Sequence, residues 1–307
     1  MRILIIGAGA TGGYFGGRLA AAGRDVTFLV RPARAEQLRA DGLRIVSPHG
    51  DVQLQPRLVS AGGIDGPFDV VLLAVKAYSL EGLLEDMAPA VGPDTMLLPL
   101  LNGMKHLDLL SGRFGREAVL GGLCRIVASL DEAGRVVQYA KLHDLAYGEL
   151  DGADTPRIQR LDACLQGAGF AARWAPAIQR EMWEKWVLLA ALGGANCLMR
   201  STVGEIAAAP GGGEFVLRLM DEIVSVVNTV GHPPSQAFLA DARTMLTAQG
   251  SSLTSSMYRD LQNGGPIEAD QIIGDLLARG RGAGVPAPLL AAVYTQLAAY
   301  QNRRAGC

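Results

Sequence analysis

The chain has 307 residues, which is long for a single hydrophobic core, so about two domains are expected. Its formal net charge of −2 provides no general attraction to nucleic acid or to an anionic membrane, which favours a small-molecule partner. The four cysteines form no CxxC pair and lie near no histidine at ligand spacing. We therefore expect neither a metal site nor a disulfide framework, and a reduced, cytoplasmic setting. No signal peptide or membrane-spanning run is predicted.

A glycine-rich turn follows the first apolar run of the chain, Ile3–Ile6, and precedes a helix-like segment. Its sequence is Gly7-Ala8-Gly9-Ala10-Thr11-Gly12. In this pattern the first glycine permits the tight turn, the second lets the backbone approach a diphosphate, and the third lets helix and strand pack closely. The diphosphate is expected on the free N–H groups of the helix. The motif predicts dinucleotide binding, the alternative being a glycine turn that serves packing alone.

The end of the next predicted strand, Asp25–Val30, indicates which dinucleotide is bound. A residue that reads a ribose 2′-hydroxyl would be Asp or Glu there, whereas this chain has Arg31, with Arg34 nearby. Both are cations suited to a 2′-phosphate. We therefore predict NADPH or NADP as the cofactor.

The first half of the chain alternates apolar strand-like runs with helical patterns, which is typical of a Rossmann-type α/β domain with a parallel sheet. The predicted parallel strands are Ile3–Ile6, Val26–Val30, Val70–Val75, Met96–Leu101 and Val119–Leu123. Two alternating runs, Arg135–Tyr139 and Asp144–Gly148, predict an antiparallel extension of that sheet, ahead of a helix at Thr155–Ala168 and a strand at Ala171–Trp174.

Beyond Trp174 the sequence is rich in Ala, Leu, Met and Glu and shows no strand pattern. Proline- and glycine-containing breaks predict a series of helices. We therefore expect a Rossmann-type domain over residues 1–175 and an all-helical substrate domain over residues 176–307. These breaks lie at Pro210–Gly213, Gly231–Pro234, Gly264–Pro266 and Gly284–Pro286.

Lys76 and Asn102 are candidates because each follows a predicted strand, and ligands bind at the carboxyl ends of the strands in such sheets. The alternative for Lys76 is an exposed loop lysine, and for Asn102 a turn residue in an Asn-Gly pair. In the helical half, Lys185 lies between Trp183 and Trp186. Partial desolvation there favours the neutral amine, so this lysine is a candidate proton donor, the alternative being a lysine whose stem covers apolar surface.

The segment from Ser255 to Glu268 adds hydroxyls and a carboxylate. We predict Glu268 in the first turn of a helix that begins after Gly264-Gly265-Pro266, where it could simply favour the positive end of the helix dipole. The four histidines form no set with acid and serine or with cysteine, so nucleophilic hydrolysis has no support.

Taken in order, these motifs resemble the ketopantoate reductases over nearly the whole chain. They are the glycine turn, Arg31, Val75-Lys76-Ala77, Leu101-Asn102-Gly103, Trp183-Glu184-Lys185, Ser255-Ser256-Met257 and Glu268. The resemblance implies a Rossmann domain followed by a helical domain of the 6-phosphogluconate dehydrogenase type. It also implies the NADPH-dependent reduction of 2-dehydropantoate to (R)-pantoate in pantothenate biosynthesis.

The resemblance also implies roles for individual residues. Lys185 matches the general acid, and Glu268 matches a carboxylate that holds the nicotinamide ribose and the substrate region. Ser256 matches a substrate-binding hydroxyl, and Asn102 matches an asparagine that contacts cofactor and substrate.

Three positions depart from the family pattern, which usually has asparagines where this chain has Leu189, Gly193 and Val203. Leu189 stays within roughly 40° of Lys185 around a helix, so the change falls where a polar substrate would be held, and Asn196 lies too far along the axis to replace both missing amides. Two alternatives stay open: a reductase of a less polar 2-oxo acid or ketone, and a regulator that binds NADP without turnover. A homodimer formed through the helical domain is a further expectation.

Overall fold

The structure, a computed structural model, describes residues 1–306, which divide into two units. The first unit consists of Met1–Leu101 and His106–Ile178. The second consists of Asn102–Lys105 and the residues from Gln179 onward. The first is an α/β unit built on a parallel sheet, and the second is helical, as the sequence predicts.

The parallel sheet of the first unit has five strands in the order β5-β2-β1-β6-β7, and every neighbouring pair is parallel. Because the chain leaves β1 toward β2 on one side and returns to β6 on the other, the order reverses between β1 and β6. Ligands of such sheets bind at this reversal, beyond the carboxyl ends of the strands. The strands are β1 (Arg2–Ile6), β2 (Asp25–Leu29), β5 (Arg57–Val59), β6 (Val70–Leu73) and β7 (Met96–Pro99).

A second sheet, rather than an extension of the first, contains the remaining strands, so that prediction is wrong. The runs at 135–139 and 144–148 are parts of one long strand, β9, which pairs antiparallel with β8 on either side of a register shift and parallel with β3 and β10 at separate points. The strands are β3 (Leu43–Val46), β4 (Val52–Leu54), β8 (Leu120–Leu130), β9 (Val136–Glu149) and β10 (Ala171–Trp174).

Helix α1 (Ala10–Ala21) packs against both sheets, and its glycines make this possible. A Cβ on Gly16 would lie 2.7 Å from the Phe28 ring on the parallel sheet, while one on Gly17 would lie 2.8 Å from Ile45 on the second sheet. The apolar core of the unit therefore closes around the helix that begins at the glycine turn. The other helices of this unit are α2 (Pro32–Asp41), α3 (Leu84–Met87), α4 (Lys105–Phe114) and α5 (Pro156–Leu165).

Residues 179–306 contain helices and no strand, and each predicted proline and glycine break lies where one helix ends or the next begins. Side chains cap several of their first turns: the hydroxyls of Thr202, Ser235 and Ser255 each accept a backbone N–H three residues ahead. The helices are α6 (Ile178–Met199), α7 (Val203–Ala208), α8 (Gly212–Val230), α9 (Gln236–Leu246), α10 (Ser256–Gln262), a π-helical turn at Asp270–Gly274, α11 (Asp275–Gly282) and α12 (Pro288–Ala305).

Candidate functional site

The glycine turn after β1 has the conformation that its motif requires. Gly7 has φ +92°, and its N–H donates to the Leu29 carbonyl oxygen at 3.0 Å. A Cβ on Gly7 would lie 2.8 Å from Val75 Cγ1, and one on Gly12 would collide with the Gly7 carbonyl oxygen. Side chains are therefore excluded at both positions, by backbone conformation at Gly7 and by space at Gly12.

The N-terminus of α1 has the features of a diphosphate cradle. Gly9 is its N-cap residue; no side chain caps the helix, and its first turn contains no acidic residue. The first helical bond runs from the Gly13 N–H to the Gly9 carbonyl, which leaves the N–H groups of Ala10, Thr11 and Gly12 without helical acceptors. A Cβ built on Gly9 meets no atom within 4 Å, so the space beside the turn is open. This arrangement fits the diphosphate of a dinucleotide.

Arg31 lies at the N-cap of α2, two residues after β2 ends at Leu29, and its side chain is exposed. Its Nη2 donates to Ser79 Oγ at 3.1 Å. Ser79 ends a short 3₁₀ turn, Ala77–Ser79, which follows β6. Sequence reasoning missed Ser79; the available signal was a hydroxyl three residues beyond Lys76, near the end of β6.

The side chain of Arg34, the second cation of the sequence prediction, forms its hydrogen bonds within the first unit. Its Nε donates to the Ala8 carbonyl oxygen at 3.1 Å, and its Nη1 donates to Gln37 Oε1 at 2.5 Å. Burial lowers the pKa of this guanidinium from its ordinary value. The two arginines near the β2 end therefore have different surroundings.

Lys76 lies three residues beyond the end of β6, because this strand ends at Leu73 and not at Val75 as predicted. It is half-buried and forms the N-cap of the 3₁₀ turn. Asn102 is half-buried in the Asn102–Lys105 segment of the second unit. The next residue, Gly103, has φ +79°, and a Cβ there would lie 2.5 Å from the Gln271 carbonyl oxygen. The Asn-Gly turn therefore packs directly on the π-helical turn.

Lys185 lies on α6 and is half-buried, with the buried rings of Trp183 and Trp186 on either side of it in the sequence. The ring centroids of the two tryptophans are 5.1 Å apart. The Trp186 indole Nε1–H donates to the Ile272 carbonyl oxygen at 2.8 Å. The helical turn that carries Lys185 is thus fixed to the π-helical turn.

Glu268 is 3% exposed and directly precedes the helical residues that begin at Ala269, so its predicted place in the first turn is wrong by one residue. Its carbonyl oxygen accepts the Ile272 N–H at 3.0 Å. The Ile272 carbonyl therefore accepts the Trp186 Nε1–H, and the Ile272 N–H donates to the Glu268 carbonyl. These two hydrogen bonds connect the segment that carries Lys185 to the segment that carries Glu268. The π-helical turn lies at this junction, and such turns are frequent at functional sites.

Ser256 is the first residue of α10, and α6 holds the start of that helix in place. The Asn196 amide oxygen accepts the Ser255 N–H at 2.9 Å, and the Asn196 Nδ2 donates to the Ser201 carbonyl at 2.9 Å. Asn196 is fully buried. The Asn196 amide therefore helps to hold Ser256 in place.

The three departures from the family pattern lie at buried or half-buried positions of the second unit. A Cβ on Gly193 would lie 2.9 Å from the Met257 methyl, and Met257 is 2% exposed. Val203 is 3% exposed and Leu189 is half-buried. An asparagine at position 193 would therefore need Met257 to move.

The described residues hold no group of three or more His, Cys, Asp or Glu side chains with metal-ligand geometry. Over the same 306 residues, none of the helices combines the length and the apolar character that crossing a membrane demands.

Two family models match most of this chain. The model of ketopantoate reductase PanE/ApbA matches residues 3–152, and that of the ketopantoate reductase PanE/ApbA C terminal matches residues 177–301. The chain belongs to the ketopantoate reductase family. It is accordingly an oxidoreductase of a family that uses a nicotinamide cofactor.

Three relatives illustrate the range of similarity. The uncharacterized oxidoreductase YkpB of Bacillus subtilis is 38% identical over 304 residues, which cover 99% of this chain and 100% of that protein. The crystal structure of 2-dehydropantoate 2-reductase from Geobacter metallireducens has a TM-score of 0.87 and 30% identity, covering 97% of this chain and 99% of the other. A D-mandelate dehydrogenase solved with NADH and anilino(oxo)acetate shares the fold, with a TM-score of 0.87, 22% identity and 99% coverage of both chains.

Proposed function

We propose that this protein uses NADPH to reduce 2-dehydropantoate to (R)-pantoate. The observation that carries the proposal is the junction at Ile272, which joins the Lys185 segment to the Glu268 segment in a family whose members include 2-dehydropantoate 2-reductases. Asn102 precedes Gly103, which packs on the neighbouring Gln271 carbonyl. A proton donor, a carboxylate and an amide therefore belong to one part of the second unit.

The first unit would hold the cofactor. The N–H groups at the start of α1, with Gly7, Gly9 and Gly12, would bind the diphosphate. Arg31 would pair with the 2′-phosphate, since a guanidinium matches phosphate geometry, and Lys76 would add a second positive charge. Bound NADPH would supply the hydride that reduces the ketone carbon.

The second unit would supply the proton and the substrate contacts. The Lys185 ammonium donates its proton to the ketone oxygen, which becomes the hydroxyl of the product, and the neutral amine then takes a proton from solvent. Glu268 orients the lysine and holds the ribose or the substrate. Asn102 and the Ser256 hydroxyl bind polar groups of the substrate and keep its carbonyl oriented for reaction.

A less polar 2-oxo acid or ketone is the second candidate substrate, and the Gly193–Met257 contact favours it. Apolar groups at Leu189, Gly193 and Val203 leave a hydroxyl of the substrate with fewer hydrogen-bond partners, and such losses change discrimination strongly. The fold is compatible with such substrates, since the D-mandelate dehydrogenase structure contains anilino(oxo)acetate.

Absorbance of NADPH, followed with purified protein and a set of 2-oxo acids, separates these possibilities. A higher kcat/KM for 2-dehydropantoate than for 2-oxo acids that lack its hydroxyl supports the first candidate. The reverse order supports the second. A protein that binds NADPH but oxidises it with no member of the set would be a non-catalytic NADP-binding regulator, which contradicts both.

A further inference from the structure

We infer that Arg34 is a positioning residue: it holds the glycine turn in the conformation that binds the dinucleotide diphosphate, and it does not read the 2′-phosphate. This inference rests on the proposed dinucleotide binding of the first unit. It assigns different tasks to two arginines that are three residues apart and that the sequence alone treats alike.

Arg34 contacts the main chain of the turn at one point and the Gln37 side chain at another. Its Nε donates to the Ala8 carbonyl oxygen at 3.1 Å, and Ala8 is the second residue of the motif. Its Nη1 donates to Gln37 Oε1 at 2.5 Å. Arg31, in contrast, is exposed and donates to a hydroxyl, Ser79 Oγ, at 3.1 Å.

A hydrogen bond to the Ala8 carbonyl also fixes the following N–H. The Ala8–Gly9 peptide is planar and trans, so its carbonyl and the Gly9 N–H point in opposite directions. Arg34 therefore orients the Gly9 N–H, which lies at the N-terminus of α1 beside the open space at Gly9. A guanidinium is suited to this task because its donors lie in a rigid plane.

Gln37 supports Arg34 from the other side. The Gln37 Nε2 donates to the Ala133 carbonyl oxygen at 3.2 Å, in the turn between β8 and β9. At Gly134, φ is +70°, and a Cβ there would collide with the Gln37 amide. The glycine turn is thus connected through Arg34 and Gln37 to the β8–β9 hairpin, and burial of the Arg34 guanidinium, which lowers its pKa, agrees with a place inside this connection.

The test measures the affinities of four variants for NADPH and for NADH, well below their unfolding temperatures. For Arg34→Ala we expect both affinities to fall by the same factor, about tenfold, because both dinucleotides carry the diphosphate. For Arg34→Lys we expect a smaller equal loss, since an ammonium retains a donor for the Ala8 carbonyl. For Arg31→Ala we expect a loss for NADPH alone.

Arg24→Ala is the matched control for stability. Arg24 also donates to two main-chain carbonyls of the first unit, those of Cys164 at 2.8 Å and Gln166 at 3.0 Å, but at the end of α5. We expect it to lower the unfolding temperature and to leave both affinities unchanged. Should Arg34→Ala fail to fold, Gln37→Ala removes only the outer support, and an equal, smaller loss for both dinucleotides is expected.

Two results would overturn the inference while leaving the proposed function intact. One is a loss for NADPH alone in Arg34→Ala, which would make this residue a 2′-phosphate reader. The other is unchanged binding of both dinucleotides in folded Arg34→Ala. If the wild-type protein binds neither dinucleotide, the proposed function fails first and the inference fails with it.

Discussion

Lys185 carries the chemical step in the proposed function, and its surroundings explain why a lysine is suited there. The two neighbouring tryptophans are buried, so the stem of the lysine emerges from an apolar part of α6. A half-buried ammonium there can donate a proton to a developing alkoxide and be reprotonated from solvent.

Replacing Lys185 with Ala is expected to lower kcat by about a hundredfold or more, because general acid catalysis contributes at least that much. The Kd for NADPH should change little. Arg180→Ala is the control, since Arg180 is an exposed cation on the same helix. Steady-state rates at saturating substrate, together with NADPH titrations, provide the measurement. An unchanged kcat in the Lys185 variant would remove this residue from the acid role.

Replacing Arg31 with Ala is expected to weaken NADPH binding by about tenfold, because a charge-assisted contact to phosphate is lost. NADH, which has no 2′-phosphate, should bind as before. Arg39→Ala, an exposed cation at the end of the same helix, should affect neither. Fluorescence titration with the two dinucleotides measures the effect. Equal losses for NADPH and NADH would argue against the 2′-phosphate assignment.

At the residue scale, the sequence identifies candidate residues but does not show the direction in which their side chains point. Arg31 and Arg34 look alike in the sequence, and only the folded chain directs one to Ser79 and the other to the Ala8 carbonyl. Glu268 was misplaced by one residue because a glycine-proline break indicates that a helix starts nearby but does not determine its first residue.

Helix α6 is the element that organises the candidate site. Its middle binds the π-helical turn through Trp186, and its later turns hold the start of α10 through Asn196. Hydrogen bonds made by fully buried groups restrict orientation strongly, because water cannot replace a lost partner. The positions of Lys185, Glu268 and Ser256 therefore depend on the integrity of one helix.

Replacing Asn196 with Ala is expected to lower the free energy of unfolding by about 2–4 kcal/mol. The change leaves the buried Ser255 N–H without its partner, at a cost of about 1–3 kcal/mol, and the part-buried Ser201 carbonyl without its partner, at a smaller cost. Asn263→Ala, at an exposed position after α10, is the control and should cost far less. Urea unfolding measures both. Equal small costs would show that the Asn196 amide does not hold the start of α10.

Four strands of the parallel sheet, β1, β2, β6 and β7, were predictable because strands buried on both faces are continuous apolar runs. The fifth, β5, is exposed or half-buried and was missed, and the run at Val119–Leu123 was wrongly assigned to this sheet, since β8 pairs antiparallel with β9. The second sheet was not predicted as a separate sheet. Its strands β3 and β4 are short, half-exposed and mixed in composition, and β9 continues through Lys141 and His143, which interrupt the apolar pattern. The register with β8 also shifts there, between the Ile126–His143 and Ala128–Gln138 pairs, so residues 139–142 have no strand-pairing partner in β8.

At the scale of the whole molecule, an α/β unit is accompanied by a helical unit, a difference in architecture that the change in composition along the sequence indicates. What composition could not indicate is that residues 102–105 belong with the helical unit. Their place depends on the close approach of Gly103 to the Gln271 carbonyl, a contact between segments far apart in the sequence.

The stability of the whole chain should fall in mild acid, partly because of His143. Its ring stacks on His49 with centroids 3.7 Å apart, and its Nδ1 lies 2.7 Å from the Tyr14 hydroxyl oxygen. Burial, followed by the charges of His49 and Arg18, lowers the pKa of His143, while Asp144 opposes the shift. The unfolded chain therefore binds this proton first as the pH falls below about 6.5, which favours unfolding.

Replacing His143 with Gln should make the free energy of unfolding less dependent on pH between about 7 and 5, by up to about 1.4 kcal/mol per pH unit for one proton. His232→Gln, at an exposed site in the second unit, should retain the wild-type dependence. Denaturant unfolding at several pH values measures the slope. A slope that is identical in wild type and His143→Gln would show that this ring does not contribute.

The most direct test of the proposed function is NADPH oxidation by the wild-type protein with 2-dehydropantoate, combined with chiral analysis of the product. We predict one NADPH oxidised per molecule reduced, (R)-pantoate as the product, and loss of this turnover in Lys185→Ala. NADPH that binds but is not oxidised, with 2-dehydropantoate or with any less polar 2-oxo acid, would contradict the assignment of this protein as a 2-oxo acid reductase.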